Sequence, residues 1–136
     1  MLTKCTKPLG LFLTAAAMTM SAPTAFATGT IECTGVGDDT VSVFISVGRV
    51  PVLAVLNADI SARGDTWSTR GRGTPIVFGQ GTDDEDMLRV DFTDDQISER
   101  LISVRTVKGS QDKLFAEAGV LRITGHGAYA IVCESG

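Results

Sequence analysis

The chain has 136 residues, with 12 Lys and Arg against 16 Asp and Glu and a formal net charge of −4. That length fits a single domain with a short leader. The acidic balance speaks against nucleic acid as a partner, because phosphate binding needs a basic face. One histidine and three cysteines leave little material for a transition-metal centre, and no metal or cofactor is expected.

Residues 1–27 read as a secretory signal peptide. Lys4 and Lys7 give a positive start, Leu9 to Met20 is an apolar run, and Ala25-Phe26-Ala27 places small residues at a cleavage site. The run is too short to span a bilayer comfortably, and no later segment reaches the roughly 18 apolar residues a spanning helix needs. No cysteine follows the small residues, so a lipid anchor is not indicated. The expected product is a periplasmic or secreted domain of residues 28–136. Loss of Lys4 and Lys7 leaves ten basic residues against sixteen acidic ones, a net charge of −6. Such a surface keeps an exported protein soluble and attracts a cationic partner.

Cys5 leaves with the leader, and Cys33 and Cys133 remain. In an oxidising compartment an isolated pair reads as a disulfide, here tying the two ends of the domain together. Closing a loop of about 100 residues is worth roughly 4.7 kcal/mol on chain entropy. There is no C-x-x-C spacing to support a redox or metal-ligand role.

From residue 30 onward the chain reads as all-β. After a short strand over 30–34, residues 40–47 alternate, with Val41, Val43, Ile45 and Val47 on one side and Ser42, Phe44 and Ser46 on the other. Gly48-Arg49 makes a turn, and 50–60 continues as an apolar strand with Pro51 near its start or on an edge. Residues 74–78 place Ile76 and Phe78 together. Residues 87–92 group Leu88, Val90 and Phe92 and turn Arg89 and Asp91 outward. Alternation returns over 101–108, and strands over 115–124 and 128–134 flank Gly125-His126-Gly127.

Two segments have a helical alternative. Thr93-Asp94-Asp95-Gln96 resembles a capping box and predicts at most one short turn. Residues 111–118 also suit a turn or two of helix ended by Gly119. Eight short strands separated by Gly and Asp turns predict a small antiparallel β-barrel, with a sandwich as the alternative.

The chemistry-bearing features are few. His126 sits between two glycines, and no nucleophile motif accompanies it, so it reads as a solvated turn residue and the chain as a non-enzyme. Asp83-Asp84-Glu85-Asp86 follows Gly79-Gln80-Gly81. Adjacent carboxylates lack the spacing of an EF-hand, so an electrostatic contact is expected in preference to calcium. Residues 61–73 form the opposite feature. This stretch holds Arg63, Arg70, Arg72, the only tryptophan, Trp67, and three glycines. Arg and Trp are favoured binding anchors, although Trp67 also suits a plug at one end of the barrel. Arg63-Gly64-Asp65 spells a tripeptide read by adhesion receptors.

Ser61-Ala62-Arg63-Gly64, Trp67-Ser68-Thr69-Arg70-Gly71 and the closing Ile131-Val132-Cys133-Glu134 resemble segments of the periplasmic and membrane-bound inhibitors of c-type lysozyme. Compared with that family, the gap between the first two segments is shorter, the aromatic before the Trp is absent, and Arg stands for Lys one residue late. The resemblance implies a small exported barrel that enters the lysozyme cleft with Ser61 and Arg70; Arg63 or Arg72 is expected to assist as a neighbouring cation. Alternatives from other classes are a periplasmic module for a small ligand or calcium, and a surface adhesion module.

The export reading has a direct check. Protein recovered from outside the cytoplasm should begin at Thr28, and its non-reduced mass should lie two hydrogens below the reduced mass. An intact Met1 terminus, or two freely alkylated thiols in native protein, would contradict it.

Overall fold

The computed structural model describes residues 28–48 and 52–135. Residues 1–27, expected to be a signal peptide, and the turn expected at Gly48-Arg49 with Pro51 after it lie wholly or partly outside these residues. Nine strands run in chain order: β1 (Thr28–Gly35), β2 (Asp38–Gly48), β3 (Ala54–Ala62), β4 (Asp65–Ser68), β5 (Thr74–Asp83), β6 (Met87–Asp94), β7 (Arg100–Gln111), β8 (Leu114–Ile123) and β9 (Gly127–Ser135). Each strand bonds to the next, and β9 returns to β1, so the sheet closes into a barrel rather than a sandwich. No helix occurs among the described residues.

The period-2 pattern sets the walls. Val41, Val43, Ile45 and Val47 of β2 point inward, as do Leu88, Val90 and Phe92 of β6 and Ile102 and Val104 of β7. Ile45, Ile60, Leu88, Phe92, Ile102 and Leu121 are fully buried and fill the interior. Below them Thr106 donates a hydrogen bond to buried Glu117, a polar pair satisfied within the barrel.

Two corrections concern local structure. The ninth strand is β4, which falls in a stretch expected to be loop. It pairs with β3 through Ile60↔Trp67 and Ser61↔Thr66, then touches β5 in parallel at Trp67↔Thr74 and Ser68↔Pro75. The sheet is therefore antiparallel except at this two-residue contact. Gly73 makes the step possible: its φ is +74°, and a Cβ there would meet the Thr66 carbonyl oxygen at 2.3 Å. The second correction is 111–118, which forms a hairpin and not a helix. Asp112 and Lys113 have φ of 49° and 70°, the pattern of a two-residue turn between paired strands. The 93–96 segment is a turn, where Asp94 accepts backbone bonds from Ser98 at 2.6 Å and Glu99 at 3.2 Å.

Strand directions sort the turns onto two rims. One rim carries Val36-Gly37, Arg63-Gly64, the 95–99 turn and Gly125-His126. The other carries the acidic 84–86 turn, the 112–113 turn and both ends of the domain.

Cys33 stands directly opposite Cys133 on β1 and β9, and the two are disulfide-bonded across a sequence separation of 100. Replacing both cysteines by alanine should lower the unfolding free energy by up to about 4.7 kcal/mol, read from the denaturant midpoint. A change below about 1 kcal/mol would mean that strand pairing alone fastens the seam.

Candidate binding face

The β3–β4 hairpin carries most of the residues singled out between 61 and 72. Its inward residues are Ile60, Ala62 and Trp67, all buried. Its outward residues form a polar ladder in which Asp59 faces Ser68 and Ser61 faces Thr66. Ser68 donates its hydroxyl to Asp59 at 2.6 Å and accepts the Arg70 backbone N–H at 2.9 Å. The Arg70 Nη2 group then pairs with the second oxygen of Asp59. Ser61 and Thr66 hydroxyls lie 3.3 Å apart. Ser61 is two residues from Asp59 along one strand, about 6.6 Å by strand rise. Pairing thus brings Ser61 and Arg70 to the same face.

The Ser68 hydrogen bond holds the Asp59 carboxyl below its ordinary value; burial opposes this, and the Arg70 and Arg72 cations reinforce it. Arg70 keeps 40% of its side chain exposed, so part of its fork faces outward while Asp59 fixes the rest. Arg72 is exposed in the bend that follows.

Arg63 and Gly64 form the hairpin turn, with φ of 48° and 87°. The Arg63 guanidinium lies 5.4 Å from the centre of the Tyr129 ring and 3.9 Å from Asp38. This turn reaches toward the β8–β9 turn on the same rim. His126 Nε2 lies 3.0 Å from Asp65, its Nδ1 lies 2.6 Å from the Tyr129 hydroxyl, and its ring meets Trp67 edge-on at 5.0 Å.

His126 is thus not the solvated residue expected from its glycine neighbours. Its side chain is 19% exposed and joins turns that are far apart in the strand order. Trp67 faces the core and plugs this end of the barrel, so it supports the face from beneath.

The acidic run lies on the other rim, apart from the arginines. Asp84 accepts backbone bonds from Asp86 at 2.9 Å and Met87 at 2.8 Å, and these lower its carboxyl pKa. Lys108 pairs with Asp83 and donates to the Asp84 carbonyl at 2.9 Å. Glu85 and Asp86 are exposed. Among the described residues, no group of three or more His, Cys, Asp or Glu side chains is arranged to hold a metal ion.

Asp59, Asp65, Ser68 and Tyr129 complete the face and were not singled out from the sequence. Their importance depends on strand register. Only the isolated Gly125-His126-Gly127 turn offered a local signal.

The lowered Asp59 carboxyl gives a pH prediction. Its stabilising contribution is present above the ordinary value of 3.8 and is lost as pH falls through the lower folded value. Asp59→Asn should therefore be less stable than wild type near neutrality, and the two stability curves should converge in acid. A gap independent of pH would contradict this.

No protein-family model, curated protein or solved structure matches the chain.

Proposed function

We propose that this protein is an exported inhibitor of c-type lysozyme that docks through the outer face of the β3–β4 hairpin. The supporting observation is the placement of Ser61 and a half-exposed Arg70 on one face, with Arg70 held by Asp59 and Ser68. A lysozyme cleft presents two catalytic carboxylates. The outward part of the Arg70 fork suits such a group, because a guanidinium can bond two carboxylates at once. Holding it in place beforehand lowers the entropy lost on docking. Ser61 supplies a hydroxyl beside it, while Arg63 and Arg72 flank the contact. The function is binding, with no catalytic step assigned to this chain.

The packed interior favours this reading over a small ligand held inside the barrel. Buried side chains from β2, β3, β6, β7 and β8 occupy that space. The acidic 83–86 turn lies on the far rim, where it contributes to long-range attraction of a cationic enzyme and not to the contact itself.

Lysis of a bacterial suspension by lysozyme should slow when the protein is added. Arg70→Ala should weaken inhibition by about 2 kcal/mol or more, the effect of a binding hot spot. Association should slow as salt rises. Unchanged lysis at micromolar excess of wild type would contradict the proposal. Inhibition equal in wild type and Arg70→Ala would show that other residues carry the contact.

A further inference from the structure

The outer wall formed by β5, β6 and β7 holds a second polar feature, distinct from the hairpin face. Two rows of side chains cross it. One row is Thr82, Arg89 and Arg105, since Thr82 pairs with Arg89 and Arg89 with Arg105. The next row is Gln80, Asp91 and Ser103. Gln80, Gly81, Thr82, Arg89, Asp91 and Arg105 line a concavity of about 400 Å³.

The charges are arranged in an unusual way. Asp91 is the carboxylate of these two rows, and its side chain is only 5% exposed. Burial pushes its carboxyl up, but hydrogen bonds from Gln80 at 3.0 Å and Arg105 at 2.7 Å, with the Arg105 and Arg100 charges, bring it below its ordinary value. Arg105 also donates to the carbonyls of Val90 at 3.2 Å and Val104 at 2.9 Å. It is therefore fixed in place. Arg89 stands directly across from it and forms no hydrogen bond or ion pair among the described residues. Like charges facing each other across a ladder destabilise the pair, and Asp91 compensates only one side of this one. Asp84, which also senses the Arg89 charge, is committed to its own turn.

We propose that this concavity is a binding site for the phosphoryl group of a small phosphate monoester. Arg89, Arg105 and Arg100, the last 3.7 Å from Asp91, outweigh that carboxylate by two charges, which a dianionic phosphate matches and a single carboxylate only half matches. Thr82 supplies a neutral hydroxyl donor at the end of the row. Asp91 and Gln80 position Arg105 and are not themselves ligands of the anion. The volume admits an organic remainder beyond the phosphoryl group. The sequence showed Arg89 facing outward by alternation, but not the Arg105 opposite it.

The test is a nuclear magnetic resonance titration of the full isotopically labelled chain with inorganic phosphate, at ionic strength held constant with sodium chloride. Saturable shifts should be confined to amides 80–82, 89–91 and 103–105 and to the Nε–H signals of Arg89 and Arg105. Arg89→Ala removes a side chain with no hydrogen bond or ion pair among the described residues, so its spectrum should remain folded. Phosphate binding should weaken by about tenfold or more, as expected for loss of a charged hydrogen bond. Lys113→Ala, on the β7–β8 turn, should bind as wild type. Shifts that do not saturate, shifts spread over all basic residues, or unchanged binding by Arg89→Ala would overturn the proposal.

Discussion

Pairing of β1 with β9 converts nine sequential strands into a closed barrel. Every other pairing joins neighbours in the chain, so each closes only a short loop. The β1–β9 seam instead joins segments separated by nearly the whole domain, and its entropic cost is correspondingly large. The Cys33–Cys133 bond sits within that ladder and reduces the cost by limiting the unfolded chain. With the seam closed, the weakest join among the described strands is at β4, which pairs with β3 only over Asp59–Ala62 and with β5 only at two residues, so parts of β3 and β5 keep an unpaired edge.

On the rims and the outer wall a common arrangement recurs. Asp59 holds Arg70, and Asp91 holds Arg105 with Arg100 nearby. Asp38 lies beside Arg63. An acidic chain therefore uses part of its charge to orient arginines and not only to remain soluble. The exposed pairs contribute little to stability. Their effect is geometric, because an arginine tethered at one end of its fork presents the other end with fewer conformations.

The strand pattern was legible where one face is apolar and the other polar. Val41 to Val47 and Leu88 to Phe92 alternate cleanly, and both lie in strands with the expected residues inward. Strand β4 gave no such signal, because Asp65-Thr66-Trp67-Ser68 contains a single apolar residue and is held by its neighbours. The Gln111 to Ala118 ambiguity arose from good helix formers around a turn whose left-handed residues, Asp112 and Lys113, are not glycine. The roles of Asp59, Asp65 and His126 were not legible. Each depends on a partner supplied by register or by the meeting of two rim turns. The arginine-rich stretch was visible as composition, but its division into buried Trp67 and outward Arg70 required the β3–β4 pairing.

The proposed inhibition makes the polar face of the β3–β4 hairpin the surface that docks on lysozyme. Hydrogen exchange of this protein, alone and with a saturating amount of a c-type lysozyme, measures that surface directly. New protection is expected over residues 61–73 and at the 125–127 turn, with the β5–β7 wall unchanged. Protection confined to the opposite rim, or none under conditions where lysozyme is present in excess, would contradict it.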